Sequence, residues 1–123
     1  MRAPWIWALA TLLATGCASM AVEKPILSFD TIAGQWVGTV YYSGGADQVQ
    51  LTVNKDGSFT ATSPRGTSSG HYSLVNGKMT GKNDTTGAVS DVTLGEQGSE
   101  QVLVSTGKTP AGGTYATEFR RKR

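Results

Sequence analysis

The sequence has only one cysteine, Cys17, and only one histidine, His71, among its 123 residues. A disulfide within these residues is therefore impossible, so packing and backbone pairing must hold the fold together. Zinc and copper sites need several convergent ligands, and a Ser–His–Asp triad needs a histidine held between a serine and an acid. The strand pattern described below places His71 alone on an outer face. We therefore expect no metal, no cofactor and no catalytic activity.

Long hydrophobic runs and helical periodicity are also missing. The longest largely apolar stretch, residues 6–14, is well short of the roughly 20 residues that a membrane-spanning helix needs. No segment repeats apolar residues with a period of about 3.6, so the sequence predicts almost no helix. The formal net charge is only +2, and no basic face is interleaved with aromatic residues. We therefore expect no nucleic-acid partner.

Turn signals, in contrast, are abundant from Gln35 onward. Clusters of Gly, Asn, Asp, Ser and Pro interrupt short runs rich in Thr, Val and aromatic residues, at 43–47, 54–57, 63–66, 76–77, 83–87, 95–98 and 107–113. These breaks separate eight strands with the spacing of about 8–12 residues that is typical of an all-β meander. A flat sheet of this kind would expose two edges, which closure removes. The sequence therefore predicts an all-β domain, a small eight-stranded antiparallel up-and-down barrel.

Alternation of side chains along each strand assigns an inner face to this barrel. The residues predicted to point inward are Val49, Leu51, Val53, Phe59, Ala61, Tyr72, Leu74, Met79, Gly81, Val92, Leu94, Val102, Val104, Tyr115, Thr117 and Phe119. We place four aromatic and thioether side chains around the open end as candidate ligand-binding residues: Tyr42, Tyr72, Met79 and Tyr115. The large inward side chains together could fill such a small interior, so we expect any pocket to be shallow.

The N-terminus has the parts of an export signal. Arg2 precedes the apolar stretch, and the small residues Thr15 and Gly16 precede Cys17, as in secretory signals. Residues 13–17, Leu-Ala-Thr-Gly-Cys, resemble the lipobox of bacterial lipoproteins. The resemblance implies cleavage before Cys17 and lipidation, as with palmitate, of that cysteine. It divides the chain into a signal peptide (1–16), a lipidated cysteine and tether (17–30), and the barrel domain (31–123).

The same resemblance implies a location. Ala18, directly after the cysteine, is not the aspartate that favours retention of such lipoproteins at the inner membrane of enteric-type bacteria. The expected location is therefore the outer membrane, with the domain facing the periplasm and the membrane contacted through the lipid on Cys17.

A short motif at the first predicted strand resembles a known family of barrels. Gly34-Gln35-Trp36 is similar to the first signature of the lipocalins and their relatives, the fatty-acid-binding proteins and avidins. The resemblance implies that the chain enters through a 3₁₀ turn and that Trp36 packs across the closed end. It also implies that a basic residue of the last strand covers the tryptophan and hydrogen-bonds the turn. Arg120 and Arg121 stand at the matching place; an unrelated sandwich or smaller barrel is the alternative fold.

Two kinds of function fit this interpretation. A lipid-anchored lipocalin-like barrel would bind a small apolar or amphipathic molecule in its open end. Alternatively, the domain could act on an envelope protein as an inhibitor or accessory factor, because residues 34–37 resemble the Ser-Gly-Gln-Trp-Val segment of a family of protease inhibitors. That family carries a disulfide that this chain lacks. A structural surface lipoprotein without a small ligand is the third possibility.

Overall fold

The computed structural model of the protein describes residues 22–122. The predicted signal peptide and Cys17 lie outside the described residues. The strands are β1 (Val22–Lys24), β2 (Gly34–Tyr42), β3 (Gly45–Val53), β4 (Ser58–Ser63), β5 (Gly66–Val75), β6 (Lys78–Asn83), β7 (Val89–Gln97), β8 (Glu100–Lys108) and β9 (Thr114–Arg121). A 3₁₀ turn at Phe29–Thr31 precedes β2.

The strands β2 to β9 form a closed antiparallel barrel. Each strand pairs with the next along the chain, and β9 returns to β2 through a register that runs from Trp36↔Arg121 to Tyr42↔Tyr115. Every predicted turn cluster overlaps the connection between two successive barrel strands. The sequence-based prediction of an eight-stranded up-and-down barrel is therefore confirmed.

Two glycines inside strands lie where the backbone of the neighbouring strand comes very close. A Cβ atom at Gly38 would lie 2.0 Å from the backbone oxygen of Glu118, and one at Gly70 would lie 2.1 Å from that of Lys82. No side chain can occupy these positions without moving the neighbouring strand. Glycine inside a strand normally weakens it, but here it allows the backbones to approach closely and the sheet to close.

The short strand β1 was not predicted. It lies within the segment expected to be a tether, and it pairs with β7 from Val22↔Glu96 to Lys24↔Leu94. The pairing between β6 and β7 spans only Met79↔Val92 to Lys82↔Val89, so β1 occupies the edge of β7 that β6 leaves free. Three residues are too few to show an alternating pattern, which is why the sequence carries no signal for this strand.

The core confirms most of the predicted inner face and corrects one strand. Buried apolar side chains from β2 to β9 meet in one cluster, and the register Leu94↔Leu103↔Phe119 places Leu103 in it. Val102 and Val104, predicted to point inward, therefore lie on the outer face. Val102 is nevertheless buried, in a small outer groove that Glu23 of β1 also lines. Residues 102–104 are all apolar, so alternation could not decide their faces, and pairing with the neighbouring strands does.

Candidate functional site

The two ends of the barrel are built differently. At one end, residues 25–33 cross the barrel: Ile26 and Ile32 are buried in the core, and the Phe29 ring lies against Gly57 in the β3–β4 turn. We call this the closed end. At the opposite end stand the hairpins β2–β3, β4–β5, β6–β7 and β8–β9, and we call it the open end.

Trp36 is the plug of the closed end. Its side chain is fully buried, with 0% exposure, and its indole Nε1 donates a hydrogen bond to the backbone oxygen of Ile32 at 2.9 Å. That acceptor belongs to the segment that follows the 3₁₀ turn. A buried indole N–H needs such a partner, so the bond fixes the crossing segment to the barrel wall.

Arg121 covers this plug. Its guanidinium carbon lies 4.3 Å from the centre of the Trp36 ring system, within cation–π range. Nη1 donates to the backbone oxygen of Ala33 at 2.7 Å, and Nη2 donates to that of Thr31 at 2.8 Å. Gly34 leaves room for the guanidinium, because a Cβ atom there would lie 2.9 Å from Nη1. Burial lowers the pKa of Arg121 from its ordinary value.

Arg120 has a different role from its neighbour. It lies on the outer face, where Nη1 contacts the Glu100 carboxylate at 2.7 Å and Nη2 contacts that of Glu118 at 3.3 Å. Of the two arginines that the lipocalin resemblance offered, Arg121 has the geometry that the resemblance implies. Alternation explains the difference, since successive residues of β9 point to opposite faces.

A cavity of about 670 Å³ opens at the other end of the barrel. Its floor is apolar and reaches the middle of the barrel, where it is lined by Val49, Leu51, Phe59 and Phe119. Small-molecule sites are typically about 300–1,000 Å³ and mostly apolar, so the cavity is of a suitable size. It is deeper than the shallow pocket expected from the sum of the large inward side chains.

Glycines explain why the interior is not filled. The Tyr72 ring lies against Gly81, where a Cβ atom would be 3.1 Å from Cε1, and the Tyr115 ring lies against Gly107. Both rings therefore lie along the wall rather than projecting across it. Tyr72 also packs on Phe59, with ring centres 4.8 Å apart. Burial raises the pKa of both phenols, so they are neutral at neutral pH.

Three of the four predicted ligand-binding residues line this cavity, namely Tyr42, Tyr72 and Tyr115. Met79 does not: it is 1% exposed, belongs to the core cluster, and pairs with Leu74 and Val92. Met79 lies at the start of β6, next to the β5–β6 turn at the closed end. Alternation gives the face on which a side chain lies. Its distance from each end of the barrel depends on how far along the strand the residue is.

One residue at the mouth was missed by sequence reasoning. Arg65, in the β4–β5 turn, contacts the Asp47 carboxylate through Nε at 2.9 Å. Its Nη2 donates a hydrogen bond to the Tyr42 hydroxyl, which in turn donates to Asp47 Oδ1 at 3.2 Å. The guanidinium carbon also lies 5.1 Å from the centre of the Tyr42 ring. Successive hairpins of an up-and-down barrel alternate between its two ends, so the order of the hairpins would have placed this turn at the open end.

The histidine lies outside the cavity. His71 is on the outer face, with Nδ1 2.6 Å from Asp84 Oδ2, and neither side chain lines the cavity. Residues 22–122 contain no cluster of three His, Cys, Asp or Glu side chains suited to a metal ion. Within the same residues, no helix is long and apolar enough to cross a membrane.

Comparison with known proteins gives no family for the chain: no family model and no curated protein matches it.

Proposed function

We propose that the protein is a non-catalytic, lipocalin-like binding module that takes one small apolar or amphipathic molecule into the cavity at the open end. The observation that carries this proposal is the cavity itself, about 670 Å³ with an apolar floor. A closed barrel of this size could have been filled by its own side chains. Instead, glycines opposite two tyrosines leave the space open.

The lining of the cavity suits an apolar group. The hydroxyls of Ser105 and Thr117 hydrogen-bond to each other, so they do not require a polar partner from a ligand. Removing apolar surface from water stabilises a complex by about 25 cal/mol per Å². An alkyl chain or flat ring that reaches Phe59 and Phe119 would gain this stabilisation without leaving a buried polar group unpaired.

A binding role also fits the titratable groups at the site. The Asp47 carboxylate is engaged by Arg65 and by the Tyr42 hydroxyl, and the phenols of Tyr72 and Tyr115 are neutral because burial raises the pKa of each. A general base needs a free proton acceptor with a pKa near the working pH. These groups therefore suit a binding site rather than a catalytic one.

We further propose that the protein is anchored by lipid on Cys17 at the outer membrane, facing the periplasm. Only residues 18–21 separate Cys17 from β1, a spacer of at most about 17 Å when extended. β1 pairs with β7 next to the β7–β8 turn, at the closed end. Such an anchor holds the closed end near the membrane and leaves the mouth accessible from the periplasm.

Fractionation tests the anchor separately from ligand binding. Cys17→Ser should move the protein from the membrane fraction to the soluble fraction, and Ala18→Asp should move it from the outer to the inner membrane. A Cys17→Ser protein that stays with the membrane as firmly as the wild type would contradict the lipid anchor.

The binding test uses an apolar fluorescent probe, N-phenyl-1-naphthylamine, and a matched pair of variants on β4. Ala61 lines the cavity, and Ala61→Phe adds a ring to it. Thr60 is exposed on the other face of the strand, so Thr60→Phe adds the same ring outside. We expect probe affinity to fall at least tenfold for Ala61→Phe and to stay within twofold for Thr60→Phe.

Two results would overturn the binding proposal. One is an equal loss of probe affinity in Ala61→Phe and Thr60→Phe with unchanged melting temperatures, which would place the probe on the outer surface. The other is a wild-type protein that binds no apolar probe but crosslinks to one envelope protein. That second result would favour the inhibitor or accessory factor instead.

A further inference from the structure

We infer that the ligand carries an uncharged hydrogen-bond acceptor, such as a carbonyl oxygen, and that the Tyr72 hydroxyl donates a hydrogen bond to it inside the cavity. The inference rests on the proposed binding function of the cavity and adds the chemical class of the ligand. It also gives the ligand an orientation, with its polar atom against one wall and apolar surface elsewhere.

The hydroxyl of Tyr72 has no partner in the protein. Its phenol lines the cavity, and its ring packs on Phe59. Among residues 22–122, no atom forms a hydrogen bond with this hydroxyl; the hydrogen bond that Tyr72 does make comes from its backbone N–H. A polar group that is removed from water without a partner is destabilising. The floor of the cavity needs no polar partner from a ligand, but the wall at Tyr72 does.

Two further hydroxyl groups lie on the same wall. The cross-strand register from Tyr72 passes through Gly81, Ser90 and Gly107 to Tyr115. A Cβ atom at Gly81 would lie 3.1 Å from Tyr72 Cε1 and 3.0 Å from Ser90 Oγ, and one at Gly107 would lie 2.7 Å from the Tyr115 hydroxyl oxygen. The three hydroxyl-bearing side chains therefore lie side by side over two glycines. We call them the hydroxyl cluster.

Within the hydroxyl cluster, Tyr72 supplies the available donor. Burial raises the pKa of Tyr115, and a hydrogen bond with Ser90 acts against that rise. The Tyr115 hydroxyl also donates to the backbone oxygen of Val89 at 3.4 Å. Ser90 and Tyr115 thus have partners in the protein. Burial also raises the pKa of Tyr72, so its hydroxyl keeps the proton that it would donate to a ligand.

The charges around the cavity favour an uncharged acceptor. Asp47 and Arg65 contact each other at 2.9 Å at the mouth, so the two charges neutralise one another. Lys82 lies on the outer face, opposite His71. The hydroxyl cluster carries no charge at neutral pH. An ion that left water for this wall would lack a counter-charge, which is costly, whereas a carbonyl oxygen needs only a donor such as the Tyr72 hydroxyl.

The test compares two ligands that share a ring system and differ by one carbonyl group, tetralin and 1-tetralone, by displacement of N-phenyl-1-naphthylamine at neutral pH. The quantity measured is the ratio of the tetralin Kd to the tetralone Kd. We expect Tyr72→Phe to lower this ratio about fivefold, the effect of one hydrogen bond between uncharged groups. The ketone should bind more weakly, and the hydrocarbon at least as tightly as to the wild type.

The matched control is Tyr41→Phe, which removes the same hydroxyl from a side chain that is 49% exposed on β2. Tyr41 does not line the cavity, so the ratio should stay within twofold. Because Tyr72→Phe keeps the ring that packs on Phe59, the melting temperature should change little. Equal weakening of both ligands would leave the ratio unchanged and would count against the inference.

The outcomes separate this inference from the proposed function. If both ligands displace the probe and Tyr72→Phe leaves the ratio unchanged, or Tyr41→Phe lowers it as much, the assignment of Tyr72 is overturned and the binding function stands. A probe that binds but is displaced by tetralin alone, or by neither ligand, also overturns the inference. If no apolar probe binds at all, the proposed function fails together with the inference.

Discussion

The closed and open ends of this barrel use the same kinds of side chain for opposite purposes. At the closed end, an aromatic ring and an arginine fill the space: Trp36 is fully buried, and Arg121 covers it while binding two backbone oxygens. At the open end, the Arg65 guanidinium stands at the mouth over Tyr42, and glycines hold the tyrosine rings against the wall. The closed end therefore stabilises the fold, whereas the open end keeps a cavity for a ligand.

Substitution of the plug should have the largest effect on stability. Trp36→Ala removes a fully buried ring and leaves the backbone oxygen of Ile32 without its donor, so we expect a loss of about 3–5 kcal/mol in the free energy of unfolding. Tyr115→Ala at the mouth should cost less, because Tyr115 is partly exposed. Denaturant unfolding of both variants measures the difference. A near-neutral result for Trp36→Ala would contradict its assignment as the plug.

Substitution of the covering arginine comes next. Arg121→Met removes the cation–π contact and both hydrogen bonds to the crossing segment. We expect a loss of about 2–3 kcal/mol in unfolding free energy. Arg120→Met is the matched control one residue away, where two half-exposed ion pairs predict a loss of about 1 kcal/mol or less. Equal losses for the two variants would show that the closed end does not depend on Arg121.

At the open end, the strongest effect should be on binding rather than stability. Gly81→Ala places a methyl group 3.1 Å from Tyr72 Cε1 and 3.0 Å from Ser90 Oγ, so the ring must move towards the cavity. We expect probe affinity to fall severalfold while the melting temperature changes little. Unaltered affinity in a folded Gly81→Ala protein would mean that the glycine does not control the space.

The smallest effect should appear only at alkaline pH. Burial raises the pKa of Tyr72 above its ordinary value of 10.0, so the folded protein keeps a proton that the unfolded chain releases. The stability linked to this proton is present below pH 10.0 and decreases as the pH rises above it. Tyr72→Phe should therefore lose less stability between about pH 9 and 11 than the wild type. Parallel curves of unfolding free energy against pH would exclude a buried, protonated Tyr72.

The closed end was easier to predict from sequence than the open end, because a family resemblance covered it. Gly34 and Trp36 form a short motif that resembles the first lipocalin signature, and that resemblance implied a covering basic residue on the last strand, where Arg121 lies. Alternation gave the correct face for strands with clear polar positions and was wrong for Val102 and Val104, which lie in the apolar run 102–104. Turn residues marked every hairpin, because positive φ angles and tight connections require particular residue types.

The size and lining of the cavity depend on strand pairing and on the orientation of aromatic rings, which a sequence pattern does not give. Met79 and Tyr72 share an inner face by alternation, and the pairing of β5 with β6 shows that Met79 lies near the closed end, away from the cavity. The mouth cluster joins Arg65 to Asp47 across two hairpins, which no spacing in the sequence indicates. The cavity stays open because the Tyr72 and Tyr115 rings lie against Gly81 and Gly107. The orientation of these rings is decided by packing in the folded barrel.

The most direct test of the contrast between the ends is a titration of ¹⁵N-labelled protein with decanoate, followed by amide and indole chemical shifts. We expect saturable shifts for amides of cavity-lining residues such as Val49, Phe59 and Phe119. We also expect the Trp36 indole N–H resonance to stay in place. Saturable shifts centred on Trp36, or no saturable shift at the cavity, would contradict the assignment of the open end as the binding site.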